Sequence, residues 1–161
     1  MQKFRPCLWY DNQAEEAANF YVSIFKNSRI KNVTHYANEI AAVAGQQPGA
    51  VMTVLFELEG QEFLALNGGP IFKFTEAISI MVDCKTQAEV DELWEKLSAG
   101  GAKSNCGWLK DKYGLSWQIV PTILSEYMSG KDPAEYRRVM VALMKMDKLD
   151  IAKLKQAAEG A

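Results

Sequence analysis

The sequence of 161 residues has a single histidine and few cysteines, so it is poor in the side chains that hold transition metals. Its three cysteines, Cys7, Cys84 and Cys106, have no paired spacing, and the sequence contains neither a Cys-x-x-Cys pair nor a histidine cluster. We therefore predict no structural zinc site. An odd and sparse set of cysteines is typical of reduced thiols, which favours a cytoplasmic protein.

Long apolar runs and runs of one charge are also missing. The longest apolar stretch is well short of the roughly 18 residues that a membrane span needs, and the N-terminus lacks the apolar segment of a signal peptide. Lysine and arginine are scattered and the net charge is −2, which gives no sign of nucleic-acid binding. With 48% hydrophobic and 24% charged residues, we predict one compact domain, or two half-domains that share a core.

One short phrase occurs twice. Gln13-Ala14-Glu15 and Gln87-Ala88-Glu89 are each followed, at the same spacing, by an aromatic residue, Phe20 or Trp94. The copies lie almost half the chain apart. Such a repeat predicts two similar strand–helix modules, an arrangement that often has a pocket between its halves.

The hydrophobic patterns predict the same order of elements in both halves. The first half is predicted to contain a strand, a helix and three strands, at 3–10, 13–25, 29–36, 51–58 and 62–67. The second half is predicted to contain a strand, a helix, one or two short strands and a last strand, at 76–83, 86–98, 102–110 and 115–120. Further helices at 133–146 and 150–158 have no counterpart in the first half.

These elements predict an α+β fold with two βαβββ modules and a helical extension. The glycine-rich break at Asn67-Gly68-Gly69-Pro70 separates the modules, so we assign them to 1–70 and 71–125 and the C-terminal helices to 126–161. We expect the extension to cover a sheet edge or a neighbouring subunit.

Three segments carry a resemblance to a known family. They are Trp9 to Tyr21, Leu64 to Pro70 with Phe72 to Ser79, and Cys106 to Gln118. Together with the doubled module, they resemble the vicinal-oxygen-chelate superfamily of glyoxalase I, bleomycin- and fosfomycin-resistance proteins and extradiol dioxygenases. Within it they are similar to the PhnB-like branch, which bears the name 3-demethylubiquinone-9 3-methyltransferase. The resemblance implies a glyoxalase-like, cup-shaped mixed sheet and a homodimer.

The resemblance implies metal ligands at positions where this chain has few of them. Metal-dependent relatives use His and Glu on the first and last strands of each module, and their last-strand motif reads roughly Asp-Pro-Asp-Gly-Asn-x-x-Glu. Here the motif runs from Asp111 to Gln118 and ends in an amide, which is a poor ligand for zinc, nickel or iron. The first-strand position falls near Phe4 or Arg5 and near Glu76 or Ala77. We therefore predict no metal and no other cofactor.

The sequence gives little support for two other kinds of chemistry, methyl transfer and nucleophilic catalysis. The methyltransferase name is not matched by a glycine-rich turn between a strand and a helix, which the common adenosylmethionine enzymes need. Cys7 could be a nucleophile near His35, or simply a small buried apolar residue. Asp11 and Asp83 end the strands before the two helices, where capping and turn formation explain them.

Strand alternation predicts the pocket residues. Leu115, Trp117 and Ile119 are expected to face the helices, and the residues that alternate with them are expected to face the cup. The same register in the other strands gives the candidate ligand-binding set: Arg5, Cys7, Trp9, Ser79, Met81, Ser116 and Gln118. These side chains suit a flat or anionic organic ligand, unless the cup is partly filled and binds nothing.

Three functions remain open at this point. The first is a metal-free protein that binds a small organic ligand, as bleomycin-resistance proteins do. The second is an enzyme with divergent chemistry on a small organic substrate, for which Cys7, His35 or Glu57 would supply the titratable group. The third is a protein whose only task is to dimerise. The sequence identifies neither the ligand nor a reaction.

Overall fold

The computed structural model describes residues 3–130 and 132–160, and its chain divides into two compact units. The first unit runs to Phe74 and the second begins at Thr75. Each contains a four-stranded mixed sheet in which, counted along the unit, the first strand lies beside the fourth, the fourth beside the third and the third beside the second. The first strand of each unit pairs in parallel with the last, and the other neighbours are antiparallel. The predicted fold of two repeated modules with C-terminal helices is confirmed.

The first unit contains β1 (Cys7–Tyr10), α1 (Ala14–Ile24), β2 (Arg29–His35), α2 (Asn38–Ala44), β3 (Val51–Leu58) and β4 (Gln61–Asn67). Residues at alternate positions of β3 and β4 are buried on the side of α1, because one face of the sheet carries the apolar residues. Tyr21 of α1 stacks on Phe56, which stacks on Phe63. The short helix α2 lies in an alanine-rich stretch for which the sequence predicted no element.

A side chain at the end of β4 caps the N-terminus of α1. The Asn67 side chain is buried, and its Oδ1 accepts a hydrogen bond from the backbone N–H of Ala14 at 2.8 Å. Its Nδ2 donates to the carbonyl of Val51 at 3.0 Å. The sequence predicts capping from the segment at Asp11, but the N-cap residue is Gln13, whose side chain makes no cap hydrogen bond. The cap therefore comes from a residue that is distant in sequence.

The second unit contains β5 (Ser79–Cys84), α3 (Gln87–Ser98), β6 (Ala102–Lys103), β7 (Trp108–Lys110) and β8 (Ser116–Pro121). Leu115, Trp117 and Ile119 are buried, as the alternation predicted. Helix α3 packs on β7 and β8 through an apolar face that contains Leu93 and Leu97. Its N-cap is Thr86, whose side chain accepts from the N–H of Glu89, so Asp83 is not the cap.

The C-terminal extension contains α4 (Ile123–Met128), α5 (Pro133–Leu143) and α6 (Ile151–Glu159). Its apolar residues form one buried cluster with the end of β8: Val120, Leu124, Val139, Leu143, Leu149, Leu154 and Ala158. Val120 is on the same face of the second sheet as Gln118, because they are two residues apart on one strand. The extension thus covers part of a sheet face in its own unit. No helix within 3–130 and 132–160 is long and apolar enough to span a bilayer.

Candidate functional site

The face of the second sheet that lies opposite α3 carries a row of polar and aromatic side chains. The strand register aligns Ser116 with Ser79 and with Lys110, and it aligns Gln118 with Trp108. Because paired residues point to the same side of a sheet, these five side chains share one face.

A cavity of about 610 Å³ lies at this face, and all of its wall belongs to the second unit. Its lining residues are Glu76, Ala102, Lys103, Ser104, Asn105, Cys106, Trp108, Leu109, Lys110, Ser116 and Met144. The volume is in the range of pockets that hold small organic molecules. The wall combines an apolar part, which includes Trp108 and Met144, with a few polar groups, as such pockets commonly do.

Ser116 is the one buried side chain in the described ranges whose polar atom has no hydrogen-bond partner. The residue is 1% exposed, and it is part of the cavity wall. A buried hydroxyl without a partner destabilises a fold by roughly 1–3 kcal/mol, so such groups are rare and call for an explanation. A ligand that supplies the missing hydrogen bond is one explanation.

Two lysines line the cavity, and each is paired with an exposed carboxylate. Lys110 forms an ion pair with Glu76, and the hydrogen bond that it donates lowers the pKa of Glu76 below its usual value. Lys103 donates to both carboxylate oxygens of Glu95, at 2.8 and 2.7 Å. All four side chains are at least 40% exposed. Exposed pairs of this kind are worth little, so another anion can replace a carboxylate at either lysine.

The residues that the sequence predicted in this unit are split between the cavity and its surroundings. Ser116 lines the cavity. Ser79 and Gln118 are on the same face, and Gln118 Nε2 donates to Ser79 Oγ at 2.8 Å, but neither residue is in the cavity wall. Met81 is exposed on the edge strand β5 of that sheet.

Two of the three predicted residues of the first unit, Arg5 and Trp9, already have partners. Arg5 Nε lies 3.6 Å from Glu62 Oε2, and Lys31 also binds Glu62 and lowers the pKa of that carboxyl. Trp9 Nε1 donates to the carbonyl of Gly69 at 2.9 Å. Cys7 is exposed at the start of β1, yet partial desolvation raises the pKa of its thiol. Arg5 is therefore not a free cation for a ligand.

Packing against the Trp9 ring explains why a glycine is needed in the break after β4. A Cβ on Gly68 would lie 2.1 Å from Trp9 Cζ2, so only glycine fits beside this ring. Phe72 packs edge-on against Trp9, and Phe74 packs edge-on against Tyr10. The glycines thus allow close packing after a hairpin strand, and residues up to Phe74 belong to the first unit.

The titratable groups that the sequence suggested for catalysis do not gather in the first unit. His35 is exposed at the end of β2. Glu57 is held by Arg29 at 3.2 Å and by Lys31 at 3.6 Å. Over 3–130 and 132–160, no group of three His, Cys, Asp or Glu side chains is placed to hold a metal ion.

Sequence reasoning missed most of the cavity wall. Trp108 and Lys110 could have been found, because they alternate with the apolar Leu109 on β7 and pair with Gln118 and Ser116. Cys106 and Met144 had no such signal. They are far apart in sequence, and only the folding of the extension brings their sulfur atoms to 3.8 Å.

Comparison with known proteins agrees with this architecture. Residues 2–120 match the family model described as 3-demethylubiquinone-9 3-methyltransferase. The PhnB protein from Bacillus cereus is 35% identical, with a TM-score of 0.67, and the match covers 75% of this chain and 100% of that one. The protein PA1353 from Pseudomonas aeruginosa is 15% identical, with a TM-score of 0.60 over 75% of this chain and 98% of that one, which shows the fold alone. Curated proteins gave no match. The chain therefore belongs to the PhnB-like family that bears the name 3-demethylubiquinone-9 3-methyltransferase.

Proposed function

We propose that this protein binds a small planar carboxylate, without a metal ion, in the cavity of its second unit. The observation that carries the proposal is the buried Ser116 hydroxyl in the cavity wall, which has no hydrogen-bond partner within the described part of the chain. A ligand oxygen at this position would accept a hydrogen bond from the hydroxyl. Hydrogen bonds to charged acceptors stabilise more than those to neutral ones, so a carboxylate is favoured over a neutral carbonyl.

The charged side chains that line the cavity favour an anionic ligand. Lys103 and Lys110 line the cavity, and Glu76 is the single acidic side chain in that lining. Lys110 is on the same face as Ser116 and is paired with it across β7 and β8. A ligand carboxylate between these two side chains would accept from the hydroxyl and replace Glu76 at the Lys110 ammonium. The Glu76 side chain is 63% exposed, so water can solvate it once it is displaced.

The apolar side chains of the cavity wall favour a ligand with a flat, apolar part. Trp108 offers an aromatic surface, and Ala102 and Met144 offer aliphatic and thioether contacts. Aromatic and sulfur-containing side chains pack favourably against rings. An aromatic carboxylate of one or two rings therefore fits the volume, the charge and the surface of the cavity.

The test uses benzoate and 2-naphthoate, with benzamide and 2-naphthamide as neutral counterparts, in calorimetric titrations. We expect the carboxylates to bind and the amides to bind more weakly. Ser116→Ala should weaken carboxylate binding about tenfold, because one charge-assisted hydrogen bond is lost. The same variant should keep or slightly raise the melting temperature, because it removes a buried hydroxyl that lacks a partner.

The matched control is Ser98→Ala. Ser98 is also a buried serine of this unit, but it is on α3 and outside the cavity wall. Ser98→Ala should leave the dissociation constants of both carboxylates unchanged. Equal affinity for acids and amides, no binding of either acid, or unchanged affinity in Ser116→Ala would contradict the proposal.

Metal independence is tested separately. The amide of Gln118 donates to Ser79 at the position where metal-dependent relatives have a carboxylate. We expect purified protein to contain no stoichiometric zinc, nickel or iron, and dialysis against a chelator to leave the melting temperature and the benzoate affinity unchanged. One equivalent of bound metal, or loss of binding after chelation, would show that this part of the proposal is wrong.

Binding is a better match to the structure than the enzyme alternative. Glu57 is paired with two cations, and the raised pKa of Cys7 keeps its thiol protonated at neutral pH. Both features oppose acid–base or nucleophilic roles. Homodimer formation and a cytoplasmic location stay predictions.

A further inference from the structure

The C-terminal extension supplies part of the cavity wall, although it lies outside the family match. That match ends at residue 120, and the whole Bacillus cereus chain aligns with only 75% of this one. Met144, which follows α5, lines the cavity, and its side chain is left largely exposed there. We propose that the extension is a fixed wall that limits the size of the bound ligand, with Met144 as the residue that determines specificity. This inference depends on the proposed binding function.

The segment that follows α5 is hydrogen-bonded to the turn between β6 and β7. The backbone N–H of Cys106 donates to the carbonyl of Met146, and that of Gly107 donates to Asp147, both at 2.7 Å. The Cys106 Sγ lies 3.8 Å from the Met144 Sδ. Cys106 and Gly107 both have positive φ, 57° and 80°. For a cysteine this conformation is uncommon, so the bonds to the extension help to hold it.

Close packing at Gly107 shows how tightly the extension fits. A Cβ on this glycine would lie 2.8 Å from the carbonyl oxygen of Ile119 and 3.2 Å from Leu149 Cδ1. Leu149 belongs to the buried cluster of the extension. The absence of a side chain at Gly107 therefore lets the extension approach the sheet beside the cavity.

A second set of bonds ties the extension to α3. Gln87 Nε2 donates to the carbonyl of Leu149 at 3.2 Å, and Gln87 Oε1 accepts from the N–H of Ile151 at 2.8 Å. Lys148 pairs with Asp91 at 2.6 Å, which lowers the pKa of Asp91. A lid that opened for each ligand would have to break all of these contacts. The extension is thus suited to be a permanent wall.

The test compares the two carboxylate probes in variants of Met144. Met144→Ala enlarges the cavity, so the affinity for 2-naphthoate relative to benzoate should rise about fivefold. Met144→Trp fills the space, so the same ratio should fall by a similar factor. The matched control is Met128→Ala, because Met128 has similar exposure, 57% against 63%, and is outside the cavity wall. It should leave the ratio unchanged.

The outcomes separate this inference from the binding function. If both probes bind and the ratio is the same in the Met144 variants as in the unsubstituted protein, Met144 does not limit the ligand and the inference is overturned alone. If neither probe binds the unsubstituted protein, both proposals fail. Since Met144 is exposed, Met144→Ala is expected to fold, and its ratio decides the question even if Met144→Trp does not fold.

Discussion

Replacing Asp111 with alanine should lower the free energy of unfolding by about 3–4 kcal/mol. Asp111 is 2% exposed. Its Oδ1 accepts from the backbone N–H groups of Tyr113 and Leu115 at 2.9 and 3.0 Å, and its Oδ2 accepts from the Trp117 indole at 2.9 Å. Alanine would leave these donors without the carboxylate, and each buried unpaired donor is destabilising. Urea unfolding followed by tryptophan fluorescence measures the change.

The control is Asp83→Ala. Asp83 is an aspartate of the same unit, but it is exposed on β5, so the expected change is within about 0.5 kcal/mol. A similar loss in both variants, or a loss below about 1 kcal/mol in Asp111→Ala, would contradict the role of the carboxylate. Because the loop that Asp111 holds leads directly into Ser116, we also expect weaker benzoate binding in the Asp111 variant.

Asn67→Ala should lower the free energy of unfolding by about 2–3 kcal/mol. The side chain caps α1 through the N–H of Ala14 and also donates to the carbonyl of Val51. The backbone carbonyl of Asn67 accepts from the Tyr36 hydroxyl, so this position joins the helix, β3 and the segment before α2. Loss of the amide side chain removes two of these bonds inside a buried site. Thermal and urea unfolding measure the change.

Two other variants test which hydrogen bonds account for the expected loss of stability. Asn67→Asp keeps the capping oxygen but places an oxygen instead of a donor against the carbonyl of Val51, so a loss close to that of Asn67→Ala would show that the bond to Val51 matters. Asn12→Ala tests the alternative from the sequence, in which the Asp11-Asn12 segment supplies the cap. Asn12 is exposed, so we expect a change within about 0.5 kcal/mol. A larger loss at Asn12 than at Asn67 would mean that the cap is wrongly assigned.

The fold could be predicted from the sequence because its signals are local and repeated. Period-2 alternation in β3 and β4 separates a buried face from a more accessible one, and the apolar stripe of α3 has the helical period. The repeated Gln-Ala-Glu phrase located both helices correctly. It does not mark equal roles, since Gln87 binds the extension and the Gln13 side chain makes no cap bond.

The candidate site was only partly predictable. Alternation placed Ser79, Ser116 and Gln118 on one face, which the strand register confirms. It could not show that Gln118 would satisfy Ser79 while Ser116 stays without a partner in the described structure. It also could not show that Arg5 would pair with Glu62. These outcomes depend on distances between side chains of different strands, which no periodicity encodes.

The sequence by itself determined the fold class, the two modules and the buried face of the first and last strands, because burial of an apolar face follows from the order of residues along one element. Only the tertiary structure decided which polar groups meet. Asn67 caps a helix that begins far from it in sequence, and Met144 reaches Cys106 across the second unit. Such contacts depend on how the elements pack against each other, and that packing is a property of the folded chain.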